Sequence, residues 1–89
     1  MTINNNVTIL SICDTYQTQL PFGVVNDIKE TINAGEIVIA FQELCNYLHE
    51  YSIEISQDIF IKIQLMGKDL VMDESDWIFL KPLINDLEK

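Results

Sequence analysis

Apolar residues recur along most of the chain at intervals of three and four, the spacing of helices that bury one face. The pattern predicts five short helices, over about residues 6–19, 22–33, 36–50, 57–72 and 73–87. We therefore predict an all-α fold, a compact bundle of about five short helices. Residues 1–89 are expected to form one domain, because nothing in the chain resembles a linker or a repeat. Within this domain, residues 1–5 are expected to be flexible.

Two breaks between the predicted helices are well marked. Leu20-Pro21 should end the first helix, because the residue before a proline avoids the helical region. Gly35 suits the left-handed position that stops a helix, so the second and third helices should form an antiparallel hairpin. The first helix is expected to bury Val7, Leu10 and Tyr16. The third has the clearest buried face: Ile37, Phe41, Leu44, Cys45 and Leu48.

The segment after residue 56 fits two structures. Ile59, Ile63 and Met66 recur at helical spacing, yet isoleucine also alternates with polar residues here, as in a strand. A hairpin turning at Gly67 is the alternative. Ser56 as an N-cap, with Asp58 in the first turn, favours the helix.

The last predicted helix begins at Asp73, which is a candidate N-cap. Its apolar positions recur at intervals of three and four: Trp77, Leu80, Ile84 and Leu87. Pro82 interrupts this repeat, so a break or kink is expected near Lys81.

The charge restricts the possible partners. The chain has 14 acidic and 5 basic residues, a net charge of −9, and no arginine. Such a surface repels nucleic acid and anionic membranes, so any partner should be a basic protein. The N-terminus lacks the features of a signal peptide, and no apolar run is long enough for a bilayer. We therefore expect a cytoplasmic protein whose two cysteines, Cys13 and Cys45, are free and buried.

Few residues suggest catalysis or metal binding. His49 lies four residues after Cys45, so the two could meet on one helix face, but nothing supplies a third catalytic group. The acidic residues between Asp69 and Asp76 lack the order of a calcium loop. We expect no enzyme activity, no metal and no cofactor.

One surface feature of the third helix is distinctive. Glu36, Glu43 and Glu50 are seven residues apart and fall within about 40° of one line along the helix. Ile39 and Tyr47 flank this line, away from the apolar face. The five residues could form a docking surface with tyrosine as an anchor. Alternatively, Ile39 and Tyr47 pack on another helix and the acids are only solvated.

Three stretches of the chain resemble the MafI family of bacterial immunity proteins. They are residues 32–36 (Ile-Asn-Ala-Gly-Glu), 40–44 (Ala-Phe-Gln-Glu-Leu) and 48–56 (Leu-His-Glu-Tyr-Ser-Ile-Glu-Ile-Ser), followed by a tryptophan–leucine helix matched by Trp77 and Leu80. The chain departs from the family pattern at Phe41-Gln42 and at Pro82.

The resemblance implies a helical protein that binds and neutralises a secreted toxin of a polymorphic-toxin or contact-dependent inhibition system. Such toxins are often nucleases, including EndoU-like ribonucleases. Glu36, Ile39, Glu43, Tyr47 and Glu50 are then the candidate toxin-binding residues. A monomer is favoured, although an exposed Ile39 leaves room for a dimer. The alternative is an adaptor or scaffold domain that binds a basic cellular protein.

Overall fold

In the computed structural model, which describes residues 4–85, four α-helices are followed by two short 3₁₀-helices. The α-helices are α1 (Asn5–Thr15), α2 (Phe22–Asn33), α3 (Ile37–Glu50) and α4 (Gln57–Asp69), and the 3₁₀-helices are η1 (Glu74–Asp76) and η2 (Ile78–Leu83). Within the described residues the only β-pairing is an isolated parallel bridge between Ile55 and Ile84. The predicted all-α fold is confirmed.

Helix α1 begins close to residue 6, as predicted, but it ends at Thr15 instead of near Gln19 and buries a different face. The side chain of Asn4 accepts a hydrogen bond from the Val7 amide at 3.1 Å and so caps the helix. Residues 1–3 of the segment that was expected to be flexible lie outside the described residues. Val7 is 58% exposed, so its predicted burial is wrong. The buried residues are Ile9, Ile12, Cys13 and Tyr16. This second set has spacing i, i+3, i+4 and i+7, which fits one helix face better.

The α2–α3 hairpin forms as predicted. Gly35 has a φ of +82°, and its amide donates to the Ile32 carbonyl at 2.9 Å. The Glu36 amide donates to the Thr31 carbonyl at 3.1 Å, which completes a Schellman motif. The two helices pack against each other, so their outer faces form one continuous surface.

Helix α4 resolves the ambiguity after residue 56 in favour of the helix. The Ser56 hydroxyl accepts a hydrogen bond from the Ile59 amide at 3.1 Å, as expected of an N-cap. Ile63 and Met66 are buried, whereas Ile61 and Leu65 remain exposed. Gly67 is helical and is not the tip of a hairpin.

The predicted fifth α-helix is wrong in its form. The segment instead folds as η1 and η2, which are separated at Trp77, where φ is −140°. The Asp73 side chain makes no capping hydrogen bond. Pro82 lies inside η2 and lacks the amide that a longer helix requires. Trp77 and Leu80 are buried as expected, and Leu87 lies outside the described residues.

A single cluster of buried apolar side chains joins these elements. Trp77 of the C-terminal segment lies edge-on to Phe41 of α3, with ring centroids 6.4 Å apart. Cys13 and Cys45 are free and buried, as predicted. None of the helices described between residues 4 and 85 is long and apolar enough to cross a bilayer.

Candidate protein-binding surface

The outer faces of α2 and α3 carry a concentration of carboxylates, which we call the acidic surface. Its members are Asp27 and Glu30 of α2, Glu36 at the start of α3, and Glu43 and Glu50 of α3. Four of them line one open depression of about 400 Å³, together with Ile39. The fifth, Glu50, lies near Tyr47, farther along α3. An apolar side chain is therefore surrounded by negative charge.

The five predicted binding residues differ in their exposure to solvent. Glu36, Glu50 and Ile39 are exposed, and Ile39 keeps 46% of its surface accessible. Glu43 and Tyr47 are half-buried. Tyr47 packs partly against the core, so part of its ring supports the fold, as in the alternative interpretation of this surface. Ile39 has no such role and remains available for a partner.

Asp27 and Glu30 were missed in the sequence. They are three residues apart in α2, so they lie on one side of that helix. Their position beside Glu43 depends on how α2 packs on α3. The predicted α2–α3 hairpin could have identified these two residues as part of the surface, because it places the outer faces of the two helices side by side.

These carboxylates lack neutralising partners inside the described chain. Among residues 4–85, no lysine lies within the 4.0 Å ion-pair distance of any of the five. Lys29, the lysine of α2, lines a different depression, between α1 and α2. Like charges on one surface do not stabilise the fold, and a basic partner would meet negative charge that no lysine of the described chain pairs with.

Glu43 has a further unsatisfied requirement. Its Oε1 atom is buried and has no hydrogen-bond partner. A buried polar atom without a partner costs free energy, on the order of 1–3 kcal/mol and more for a charged group. Because this atom is closed to solvent, a lysine or arginine of a partner could pair with it only if the Glu43 carboxylate turned towards the depression.

Tyr47 reflects the local electrostatics. The pKa of its hydroxyl is raised, first by partial loss of solvent and then by the negative charges of Asp27, Glu43 and Glu50. Its ring stacks on Tyr51, with centroids 6.4 Å apart. The two rings form an aromatic platform at the end of the acidic surface, which suits contact with an apolar or cationic group.

The candidate catalytic pair has no suitable geometry. Cys45 is buried, and burial and the charge of Asp76 raise its pKa to about 12, so its thiol is protonated at neutral pH. His49 is exposed and lies edge-on to Phe79, with ring centroids 5.3 Å apart. No hydrogen bond joins Cys45 to His49. The thiol is therefore a packed core group.

No metal-binding cluster is present in the part of the chain that the structure describes: it contains no group of three or more histidine, cysteine, aspartate or glutamate side chains arranged to hold an ion. The acidic residues between Asp69 and Asp76 lie instead at the end of α4 and in η1. Asp69 accepts a hydrogen bond from the Asn5 side chain at 2.8 Å, which joins α4 to the start of α1.

Comparison with known proteins adds no family to this description. No protein-family model, curated protein or solved structure matches the chain. The resemblance to the MafI family therefore stays a prediction based on residues 32–56, Trp77 and Leu80.

Proposed function

We propose that this chain is an immunity protein that binds a secreted bacterial toxin and neutralises it. The acidic surface would dock on a basic region of the toxin, with Ile39 and the Tyr47–Tyr51 platform as apolar anchors. One observation carries the proposal: on the α2–α3 hairpin, four carboxylates that have no lysine partner among residues 4–85 line one depression with an exposed isoleucine. Surfaces that bind proteins tightly combine such central anchors with complementary charge.

A nuclease is the toxin class that this surface fits best. Nucleases bind phosphates, so the region around their active site is basic. A protein of net charge −9 is attracted to such a cleft from a distance, and steering of this kind raises association rates by about 10- to 1000-fold. The narrower assignment to an EndoU-like ribonuclease comes only from the MafI resemblance.

Inhibition would then be stoichiometric and would need no chemistry from this chain. The carboxylates would occupy positions that otherwise receive the phosphates of the substrate, and the bulk of the hairpin would exclude RNA or DNA. If its carboxylate turned outward, Glu43 would accept a hydrogen bond from a lysine or arginine of the toxin. The complex would form in the cytoplasm of the producing cell, where a nuclease toxin would do harm.

The test is binding and inhibition with the C-terminal domain of the toxin encoded beside this gene. We expect a tight complex and loss of nuclease activity at equimolar protein. The Glu36→Lys/Glu43→Lys variant should bind weakly, whereas Asp73→Lys/Glu74→Lys, with the same change of net charge, should bind as well as the parent. Equal loss in both variants would mean that only net charge matters. Absence of binding, together with capture of a basic cellular protein, would favour the adaptor alternative.

A further inference from the structure

Two tyrosine rings at the end of α3 form a stacked pair beside the acidic surface. Tyr47 and Tyr51 are four residues apart, their ring centroids are 6.4 Å apart, and their planes differ by 29°. Tyr47 is half-buried and packs partly on the core, whereas 42% of Tyr51 is accessible to solvent. Tyr51 is therefore the outer ring of the pair, and part of its surface is open to a partner.

The backbone at the end of α3 holds Tyr51 in place. The Ile53 amide donates to the Leu48 carbonyl and the Ser52 amide donates to the His49 carbonyl, both at 3.0 Å, which is a Schellman motif. Ser52 adopts the left-handed conformation of this motif, with a φ of +50°. Because the backbone and the stacking both position the outer ring, a partner that contacts it loses little affinity to ordering of the ring.

Negative charge lies beside the tyrosine pair. Asp27, Glu43 and Glu50 are close enough for their charges to act on the Tyr47 hydroxyl. Glu43, Tyr47 and Glu50 follow one another at intervals of four and three residues, so they share one side of α3. Helix α3 ends at Glu50, and the C-terminal end of a helix also attracts positive charge. The pair is therefore placed where a cation is favoured.

Arginine matches this combination of groups better than lysine does. The guanidinium is planar, so it can lie flat on an aromatic ring while its edge donates hydrogen bonds to a carboxylate. The ammonium of lysine is a compact, strongly hydrated charge that does not stack in this way. The methylene stem of arginine can also cover the apolar part of a ring, so one side chain meets both the aromatic and the acidic groups.

We propose that the Tyr47–Tyr51 pair binds an arginine side chain of the partner, whose guanidinium stacks on the outer ring beside Glu50. The identity of the partner as a toxin rests on the proposed function, whereas the preference for arginine rests on the pair and the carboxylates near it. The acidic surface then makes two different contacts. Ile39 meets an apolar site of the partner, and the tyrosine pair holds a cation.

Tetra-arginine and tetra-lysine peptides, which carry equal charge, test this preference without the toxin. In an NMR titration at low salt, tetra-arginine should shift the ring resonances of Tyr47 and Tyr51. It should bind about two- to fivefold more tightly than tetra-lysine, which is the effect of one exposed cation–π contact. Tyr51→Leu keeps the net charge and an apolar side chain but removes the ring, so it should bind both peptides equally. Tyr51→Phe keeps the ring and should keep the preference.

Ile61→Ala is the control for loss of an exposed apolar side chain, because Ile61 of α4 is 43% exposed. It should leave the arginine preference unchanged, and circular dichroism checks that each variant is folded. Equal affinity of the parent for the two peptides overturns the inference, and so does a preference that survives in Tyr51→Leu. A chain that prefers arginine but binds no toxin contradicts the proposed function alone. A chain that inhibits the toxin without the preference contradicts only this inference.

Discussion

Trp77 covers Gly67 so closely that a β-carbon added to Gly67 would overlap the indole ring. Gly67 lies within α4, and Trp77 lies between the two 3₁₀-helices, so this contact holds the C-terminal segment on the bundle. The indole is 2% exposed and also meets Phe41 of α3. Trp77, the largest residue of the core, therefore fits at this position because residue 67 has no side chain.

The contact predicts a steric effect at Gly67. Gly67→Ala should destabilise the fold by about 1–3 kcal/mol, because the ring cannot move aside within a packed core. Gly23 is the control: it is also helical, and a β-carbon there would meet nothing within 4 Å. Gly23→Ala should be neutral or stabilise by up to about 1 kcal/mol. Urea unfolding of both variants measures the difference, and an equal effect would contradict the described packing.

Val71 ends α4 in a strained conformation. Its φ is +58°, a value that β-branched residues rarely adopt, and its side chain is 90% exposed. Val71→Gly removes this strain without loss of burial, so it should stabilise the fold by about 1 kcal/mol. The reverse change, Gly35→Val at a φ of +82°, should destabilise it. The denaturant midpoints of the two variants show whether each substitution raises or lowers stability. A Val71→Gly variant less stable than the parent would show that the strain is absent.

The buried thiols predict loss of stability in alkali. Burial raises the pKa of Cys13 to about 11 and that of Cys45 to about 12, from an ordinary value of 9.0. Above pH 9 the unfolded chain releases these protons while the folded chain keeps them. The contribution to stability is therefore complete below pH 9 and falls as the pH rises towards 12.

Urea unfolding between pH 7 and pH 11 measures this fall. The Cys13→Ala/Cys45→Ala variant is the control. It should be less stable at neutral pH but should lose less stability as the pH rises. An identical pH dependence in the parent and the variant would assign the effect to other groups, such as Tyr16, whose pKa is also raised by burial.

Ile39 should contribute to binding but not to folding. Because it is 46% exposed, Ile39→Ala should change the free energy of unfolding by less than about 0.5 kcal/mol. Under the proposed function it should weaken toxin binding about tenfold, as expected for a central anchor. Ile61→Ala, at an equally exposed isoleucine of α4, should leave both quantities unchanged. Calorimetric titration of the two variants against the toxin domain compares them directly.

The sequence predicted the helices whose ends carry clear signals. Ser56 and Gly35 fixed the start of α4 and the end of α2, because capping and left-handed backbone depend on local chemistry. The prediction of the buried face was wrong at α1. Apolar residues lie on several sides of this helix, so only packing against the other helices determines that Ile9 and Ile12 are buried and Val7 is not.

The C-terminal segment and the acidic surface needed tertiary information. Trp77, Leu80 and Leu83 are spaced by three, which fits a 3₁₀-helix as well as an α-helix, and Pro82 favours the shorter form. The glutamates of α3 were found from their spacing in one helix. Asp27 and Glu30 belong to the same surface only because α2 packs beside α3, a relationship between two helices that periodicity within either one does not show.

The association rate with the toxin domain tests the acidic surface most directly. Stopped-flow measurements should compare the parent, Glu43→Lys and the control Glu74→Lys from about 20 mM to about 500 mM salt. We predict that Glu43→Lys associates at least about tenfold more slowly at low salt, that Glu74→Lys stays close to the parent, and that the three rates converge at high salt. If Glu43→Lys associates as fast as the parent at low salt, the acidic surface is not the docking site.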